Sequence, residues 1–482
     1  MNSIEKFEMK LSIEKSKDGK RGVHFKRSIE EKLDIDEKYL RKTTPKLPQM
    51  SEFDVVRHFT RLSKINFSID THFYPLGSCT MKYNPKINEE TSSLEGFSNL
   101  HPYSLQECAQ GILEIFYDAK ERFCKICGMD DGTLWPSAGA HSELCGILIA
   151  RKYFEIKKED RDEIIVPDSA HGTNPATASM AGFKTINMKS NSDGEIDIET
   201  LKKTLNPKTA VLMLTLPNTL GVFETKIEEI VKLCHDNGTL VYMDGANMNA
   251  LIGLVKPGDF GVDIMHLNLH KTFSTPHGGG GPGSGAILVK KHLSDFLPIP
   301  IVEKDGEKYI LNEKKPNTIG RIKSEFTNTA VLLRAYTYLL MHGLKEFIEI
   351  SENAIINANY IKSKLEKIYP AYSKKYCMHE CVLTPPKEIL EKGIKTLDIA
   401  KRLLDYGFYA PTIYFPLIVH EAIMIEPTET ENKETLDSFI EAMIKIYNEA
   451  KENPDTLKNA PQTMPVKRID EVKAAREPNL RW

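Results

Sequence analysis

Short apolar runs recur through the middle of the chain, and a stretch with helical spacing follows most of them. The runs lie at residues 163–166, 185–188, 210–215, 239–243 and 262–267. Apolar runs of about four to eight residues are typical of strands that are buried on both faces. Helical patterns at 198–205 and 226–237 stand between them. This alternation predicts an α/β fold whose large domain holds a mostly parallel sheet with helices on both faces.

The pattern changes on either side of this region, and the changes predict the domain organisation. Helical spacing is found at 104–127, 331–342 and 350–369, and strands and helices alternate again over 376–452. Residues 291–319 carry scattered proline and charge, so we expect a linker there. We expect an N-terminal arm with a site-lining segment over residues 1–90, a large domain over 91–330, a smaller C-terminal α/β domain over 331–452 and a tail over 453–482.

Composition excludes several classes of function. The net charge is −3 with 27% charged residues, so nothing indicates a nucleic-acid partner. Eight scattered cysteines do not describe a disulfide scaffold, and the pair Cys124 and Cys127 has no second pair at zinc-site spacing. We therefore expect no metal. No signal peptide is visible and no apolar run approaches the ~20 residues that span a bilayer. We expect a cytoplasmic protein without a membrane partner.

One lysine at the end of an apolar run suggests covalent chemistry. Lys271 follows His270 shortly after the run 262–267, and glycines then occupy 278–281, 283 and 285. Glycine permits close backbone approach and positive φ. A lysine at a strand end, beside hydroxyl groups and a glycine loop, suggests covalent attachment of pyridoxal phosphate. The alternative is a solvated lysine in front of a flexible turn.

Other polar residues also follow predicted strands and fit the same cofactor. Asp244 ends a buried strand, where a carboxylate needs a partner, and a protonated pyridine nitrogen would be one. The alternative is an aspartate that caps a helix. Asn247 is a candidate donor to the cofactor's phenolate oxygen, and His171 a candidate for stacking on its ring. The carboxyl ends of parallel strands meet at one edge of a sheet, so these side chains and Lys271 are expected together.

A phosphate site is expected where a turn of small residues opens a helix. The turn consists of Ser137, Ala138, Gly139 and Ala140. Free N–H groups and the positive end of the helix dipole bind anions at such a position. An ordinary junction between a turn and a helix remains the alternative. Residues 73–85, rich in hydroxyl and aromatic groups, are a candidate segment for lining the site.

These motifs together resemble the glycine cleavage system P-protein family, glycine dehydrogenase (decarboxylating), in the second subunit of its split form. The matching segments are Tyr-Pro-Leu-Gly-Ser-Cys-Thr-Met-Lys-Tyr-Asn-Pro at 74–85, Ala-Gly-Ala-His at 138–141, His-Gly-Thr-Asn-Pro-Ala at 171–176, Asp-Gly-Ala-Asn-Met-Asn-Ala at 244–250 and His-Lys-Thr-Phe-Ser-Thr-Pro-His-Gly-Gly-Gly-Gly-Pro-Gly at 270–283. The resemblance runs from about residue 55 to the end of the chain.

The resemblance implies a type I pyridoxal-phosphate fold of the aspartate aminotransferase kind. It implies Lys271 as the lysine that carries the cofactor, Asp244 opposite the pyridine nitrogen and His171 on the ring face, with His270 among the cofactor-binding residues. The implied reaction is the decarboxylation of glycine with transfer of the aminomethyl group to the lipoyl arm of the H-protein. A first subunit, in an α2β2 heterotetramer, is the implied partner.

Two departures from the family pattern concern secondary contacts. Leu216 stands where the family usually has asparagine, and Ser142 where it usually has glycine. Two other readings stay open: another type I enzyme, such as a relative of serine hydroxymethyltransferase or cysteine desulfurase, and a non-catalytic regulatory subunit. A nucleotide-binding loop is not supported, because the string G-x-x-x-x-G-K-[ST] does not occur. The residue that binds the glycine carboxylate is not identified, and Arg321 is one candidate.

Overall fold

The computed structural model describes residues 10–23, 35–43, 45–278, 283–324 and 327–479. The chain divides into two compact units, of which the first comprises Met1–His72 and Pro461–Trp482 and the second Phe73–Ala460. The first unit holds a helix at Glu52–Lys64, which begins where the Ser51 hydroxyl accepts the Asp54 N–H. The expected N-terminal arm therefore includes a regular helix. The domain boundaries at 90, 330 and 452 remain predictions.

A seven-stranded sheet forms the centre of the second unit. Its strands are β1 (Asp131–Thr133), β2 (Glu163–Pro167), β3 (Lys184–Met188), β4 (Thr209–Thr215), β5 (Leu240–Asp244), β6 (Ile264–Asn268) and β7 (Gly285–Val289). The order across the sheet is β1-β7-β6-β5-β4-β2-β3. The five strands β6, β5, β4, β2 and β3 run parallel to one another. At the other side of the sheet, β7 pairs antiparallel with β6, and β1 pairs antiparallel with β7. The predicted α/β fold with a mostly parallel sheet is confirmed.

Helices at Gln110–Cys127 and Ile227–Asp236 pack on one face of this sheet, and a helix at Gly139–Lys157 packs on the other. The described residues of the two units contain further helices. In chain order the helices are α1 (Glu52–Lys64), α2 (Lys86–Ser92), α3 (Glu95–Ser98), α4 (Gln110–Cys127), α5 (Gly139–Lys157), α6 (Thr173–Met180), α7 (Ile198–Thr204), α8 (Ile227–Asp236), α9 (Thr329–Met341), α10 (Leu344–Leu365), α11 (Lys387–Leu390), α12 (Thr396–Asp405), α13 (Lys433–Glu452), α14 (Pro454–Lys458) and α15 (Glu471–Arg476). Strand β4 shows why the predicted runs are continuously apolar. Its Leu212 and Leu214 pack into one core with α4 and α8, while Val211 and Met213 pack into another with α5.

A separate core forms around three short strands towards the end of the second unit. These strands are β10 (Cys381–Leu383), β11 (Thr412–Ile413) and β12 (Ile423–Ile425), and the order is β10-β12-β11 with antiparallel pairing. Apolar residues of α10, α12 and α13 pack against them, and Phe73 joins the same cluster. Directly after β12, Glu426 accepts hydrogen bonds from Asn247 and Thr80.

The expected linker at 291–319 is wrong over part of its length. A hairpin lies there, formed by β8 (Ile301–Asp305) and β9 (Lys308–Asn312) with Asp305 opposite Lys308. The two-residue turn begins with Gly306 at φ +61°, a conformation that glycine adopts at little cost. Among the described ranges, no helix has the length and apolar character needed to cross a membrane.

Candidate active site

A cavity of about 240 Å³ opens at the edge of the large sheet where its parallel strands end. Of the residues singled out in the sequence, seven line it: Gly139, Ala140, His171, Asp244, Asn247, His270 and Lys271. They lie at or after the carboxyl ends of β1, β2, β5 and β6. Because these strand ends meet at one edge of the sheet, residues that are distant in the chain lie close together. Ser137 and Ala138 lie just before α5 and are not among the lining residues.

Lys271 stands in a tight turn that follows β6. Its N–H donates to the carbonyl of Asn268 at 3.1 Å, and its own carbonyl accepts the N–H of Ser274 at 3.1 Å. The ring of His270 packs against Gly283, where an added Cβ would lie 2.6 Å from the ring nitrogen Nδ1. Burial and the charge of Lys271 lower the pKa of His270 to about 4, so this ring is neutral. Residues 279–281 of the predicted glycine loop lie outside the described residues.

Asp244 is the ionised carboxyl group at the sheet side of the cavity. Burial would raise its pKa, but electrostatic interactions with His266, His171 and Lys271, together with the hydrogen bond from the Ala246 N–H, hold the pKa below its usual value. The Ala246 N–H donates to Oδ1 at 3.0 Å, and His266 Nε2 lies 3.4 Å from the same oxygen. A carboxylate held in this way is a suitable partner for a protonated pyridine nitrogen.

His266 was not singled out in the sequence, and its ring is oriented by a contact on the side away from Asp244. The hydroxyl of Tyr242 lies 2.6 Å from His266 Nδ1, and burial raises the pKa of Tyr242 far above its ordinary value. Tyr242 therefore keeps its proton and donates it to Nδ1, which leaves the proton of His266 on Nε2, facing Asp244. Tyr242 thus orients the ring of His266, whose Nε2 lies 3.4 Å from Asp244 Oδ1 without forming a hydrogen bond.

Glu143 is a second buried carboxyl group beside Asp244 that sequence reasoning missed. Burial and the charge of Asp244 raise the pKa of Glu143 to about 7. Its oxygens accept hydrogen bonds from Thr173 Oγ1 at 2.6 Å and Asn174 Nδ2 at 3.0 Å. Asn174 Nδ2 also lies 3.4 Å from Asp244 Oδ2 and so bridges the two acids. The signal in the sequence was a glutamate among the small residues that open α5.

The start of α5 provides the anion-binding end of the cavity. Ala138 stands at the N-cap and makes no side-chain hydrogen bond there, so the first N–H groups of the helix are left for a ligand. Lys323 Nζ donates to Ser137 Oγ at 2.8 Å and places a positive charge at the same end. Gly139 must be a glycine, because a Cβ would lie 2.5 Å from Asn268 Oδ1. These features fit a phosphate group.

His171 and Asn247 line the cavity, and each makes side-chain hydrogen bonds to neighbouring protein groups. His171 Nδ1 lies 2.7 Å from Thr173 Oγ1, and burial lowers the pKa of this histidine. Asn247 Nδ2 donates to Thr80 Oγ1 at 2.6 Å and to Glu426 Oε1 at 2.8 Å. The amide protons of Asn247 are thus directed at these two groups, and its predicted contact with a phenolate oxygen stays a prediction.

Two further buried residues that the sequence did not reveal line the cavity, and a third lies beside them. His379 and Glu380 line the cavity directly before β10, and Glu426 follows β12. Burial raises the pKa of Glu380 to about 8, with repulsion from Glu426 added, and burial raises the pKa of Glu426 to about 7. The rule that singled out Asp244, a carboxylate next to a buried strand, applies equally to these two glutamates.

The remaining sequence predictions lie at the margin of the site. Leu216 is buried in the core, while Pro217 and Asn218 beside it line the cavity. Ser142 Oγ donates to the carbonyl of Ala138 at 2.9 Å, within the first turn of α5. Arg321 does not line the cavity and pairs with Glu313 and the hydroxyl of Tyr103.

Comparisons with known proteins first define the class. The family model Aminotransferase class-V matches residues 78–318, and the model Glycine dehydrogenase, C-terminal domain, matches residues 350–467. The fold is similar to a crystal structure of glycine decarboxylase (P-protein) of the glycine cleavage system in inhibitor-bound form, with a TM-score of 0.73 and 18% identity over 86% of this chain and 93% of that one. A cysteine desulfurase from Escherichia coli aligns with a TM-score of 0.61 and 17% identity over 79% of this chain and 95% of that one. The match to the Aminotransferase class-V model, over half of the chain, defines a pyridoxal-phosphate-dependent enzyme.

Sequence relatives then specify the family. A protein from Kosmotoga olearia named probable glycine dehydrogenase (decarboxylating) subunit 2 is 57% identical over 93% of this chain and 93% of its own length. A protein of the same name from Thermotoga petrophila is 54% identical over 98% of this chain and 99% of its own length. The chain belongs to the family of glycine dehydrogenase (decarboxylating) subunit 2.

Proposed function

We propose that this chain holds the site at which glycine is decarboxylated, and that the aminomethyl group passes to the lipoyl arm of the H-protein. One observation carries the proposal: Lys271, Asp244 and the start of α5 line a single cavity. Lys271 would hold the cofactor covalently, Asp244 its ring nitrogen, and the residues from Ser137 to Ala140 its phosphate. When bound, pyridoxal phosphate supplies an electron sink for the pair released as the carboxyl carbon leaves.

The side chains of the cavity would contribute in different ways. Asp244 would keep a negative charge against the ring nitrogen, while Glu143, whose pKa is raised to about 7, ionises less readily and so competes less with Asp244 for a cation. His171 is neutral and offers a ring face. The first turn of α5 fixes the anionic end of the ligand. Such fixed charges and dipoles stabilise a developing charge without reorganisation during the reaction.

The assembly is part of the proposal. The relatives named subunit 2 imply a subunit 1. We therefore propose that this chain acts with a first subunit in an α2β2 heterotetramer, and that the lipoylated H-protein is the second substrate. The charge balance of −3 is compatible with protein partners and indicates no nucleic acid.

Exchange of labelled bicarbonate into the carboxyl group of glycine tests the proposal. With partner subunit and cofactor present, Lys271→Ala should lower the exchange by about 10³-fold or more, because the covalent anchor is lost. Borohydride treatment of the wild type should leave the pyridoxyl group on the peptide that contains Lys271. Lys291→Ala, at an exposed position, is the matched control and should retain exchange. Normal exchange by Lys271→Ala would refute the proposal.

A further inference from the structure

The first unit of the chain has almost no core of its own. Of its described residues, which are 10–23, 35–43, 45–72 and 461–479, three are buried: Met50, His58 and Pro461. The same residues include thirteen large apolar side chains that are more than one third exposed, against fifteen among the described residues of the much longer second unit. Exposed apolar groups at this density mark a surface that another molecule covers.

Helix α1 of this unit turns its apolar side outward. At about 100° per residue, Val55, Val56 and Phe59 form one stripe along the helix. These three residues are 36%, 57% and 57% exposed. The one buried residue of α1 is His58, to one side of this stripe, and its Nδ1 lies 3.0 Å from Lys15 Nζ. A helix that packs on a core buries its apolar stripe, so the arrangement of α1 is the reverse of the usual one.

Local hydrogen bonds hold α1 in place without covering this stripe. Ser51 Oγ accepts the N–H of Asp54 at 3.2 Å, and Lys20 Nζ donates to Asp54 Oδ2 at 2.7 Å. The helix has 13 residues, a length at which an isolated helix is marginal in water. Most of the stability of such a helix comes from packing of its apolar face. The stripe of α1 therefore requires a covering surface.

The charge of the first unit indicates what kind of surface receives it. Lys and Arg outnumber Asp and Glu by six over residues 1–72 and 461–482. Helix α1 itself carries Arg57, Arg61 and Lys64. Complementary charge selects partners and speeds their association. We therefore expect a receiving surface that is apolar at its centre and acidic around it.

The apolar groove of this chain does not have that character, which argues against a second copy as the occupant. The groove has a volume of about 550 Å³, lies between α4, α9 and the start of α10, and includes Leu254, Leu344 and Phe347. One acid, Asp259, lines it, against three basic residues, Arg122, Lys125 and Lys256. Like charges would oppose docking of the basic unit there. The partner implied by the names of the relatives, subunit 1, is the better candidate.

The size of the exposed surface also fits a stable complex. A helix of 13 residues is about 20 Å long and about 10 Å wide, so one side of α1 covers on the order of 200 Å². A standard interface needs about 800 Å² from each partner, so α1 alone is too small. The unit has nine further exposed apolar side chains outside α1: Leu11, Val23, Ile35, Tyr39, Leu40, Leu47, Val466, Ile469 and Val472.

We propose that the first unit is the arm by which this chain binds subunit 1, and that the stripe of Val55, Val56 and Phe59 inserts into an acidic-rimmed apolar groove of that subunit. This inference rests on the proposed assembly, since subunit 1 is taken as the partner. It explains why a unit without a core keeps a capped helix whose apolar side is exposed.

Association of the complete chain with subunit 1 tests the proposal. Glutamine has a high helix propensity, so Val56→Gln/Phe59→Gln removes the apolar stripe and keeps the helix. We expect the Kd for subunit 1, measured by biolayer interferometry, to rise about 10- to 100-fold in this variant. Arg61→Lys, which keeps the charge on the polar side of α1, is the control and should bind within about threefold of the wild type. In the wild type, amide hydrogen exchange at residues 52–64 should slow at least about tenfold when subunit 1 is bound.

Four other results would overturn the inference. Unchanged binding by Val56→Gln/Phe59→Gln, or unchanged exchange at residues 52–64, would leave the proposed assembly intact and place its interface elsewhere. An equal loss in Arg61→Lys would mean that α1 acts through its fold and not through its apolar stripe. Self-association of this chain that the double variant abolishes, without an effect on subunit 1, would make a second copy the occupant. A wild-type chain that does not bind subunit 1 would refute the proposed assembly together with this inference.

Discussion

A methyl group added at Gly285 should disturb the start of α5, where the phosphate site is proposed. An added Cβ would lie 2.0 Å from Ser142 Oγ and 3.1 Å from the carbonyl oxygen of Ala138. The backbone of Gly285 is not in the left-handed region, so the collision and not the backbone conformation sets the cost. Ser142 can yield only by breaking its 2.9 Å hydrogen bond to Ala138 or by moving the helix. Overpacking of this kind costs about 1–3 kcal/mol.

Combining Gly285→Ala with Ser142→Gly tests whether the collision with Ser142 Oγ causes the loss of stability. Ser142→Gly alone should cost about 1–2 kcal/mol, through lost helix propensity and the lost hydrogen bond. If Ser142 Oγ is the obstacle, Ser142→Gly/Gly285→Ala should be no less stable than Ser142→Gly, so the two effects should not add. The unfolding midpoint of Gly285→Ala should fall by about 1–4 °C, since this unit of the chain is large. Its affinity for pyridoxal phosphate, measured by absorbance titration, should fall too and recover in the double variant. Additivity within about 0.5 kcal/mol would refute the reasoning.

Two further predictions concern the acids at the sheet side. Asp244→Asn should still bind pyridoxal phosphate but lower glycine–bicarbonate exchange by about 10²-fold or more, because the charge on the ring nitrogen loses its partner, and unchanged exchange would contradict this role. Glu143 has a pKa of about 7 in the fold against an ordinary 4.5, so its stabilising contribution is complete below pH 4.5 and lost as the pH rises through 7. Between about pH 4.5 and pH 8, the free energy of unfolding should therefore fall by on the order of 3 kcal/mol more in the wild type than in Glu143→Gln. Parallel pH profiles of the unfolding midpoint in the two proteins would contradict this.

The sequence predicted one side of the site well, because that side follows from local pattern and one topological rule. Apolar runs locate the strands, and parallel strands place their carboxyl ends at one edge. Lys271, Asp244 and His171 each follow such a run, and the structure brings them into one cavity. The small-residue turn at Ser137–Ala140 was also visible, since a helix start is a local feature. Only Gly139 and Ala140 of this turn line the cavity.

The other side depends on contacts between distant residues, which periodicity does not show. The Ser78 N–H bonds to a glutamate 302 positions later in the chain, and Thr80 bonds to one 346 positions later. No pattern near 380 or 426 indicates which edge of the small sheet faces the large domain. The hairpin at 301–312 was missed for a different reason. The prolines that flank it, Pro298, Pro300 and Pro316, and its own charges resemble a linker, although Asp305-Gly306 between β-forming residues is a turn signal.

The protonation states around the cavity follow from the number of acids that it contains. Three buried carboxyl groups, on Glu143, Asp244 and Glu380, line the cavity together with Lys271, and a fourth, on Glu426, lies beside Glu380. Four ionised carboxylates could not be balanced there, and unpaired buried charge is expensive. Only Asp244 has a lowered pKa, and it has two histidines and a backbone N–H beside it. The pKa values of the other three are raised to about 7, about 8 and about 7. Negative charge is thus concentrated at Asp244, the residue proposed to face the ring nitrogen, while Glu143, Glu380 and Glu426 ionise less readily than ordinary glutamates.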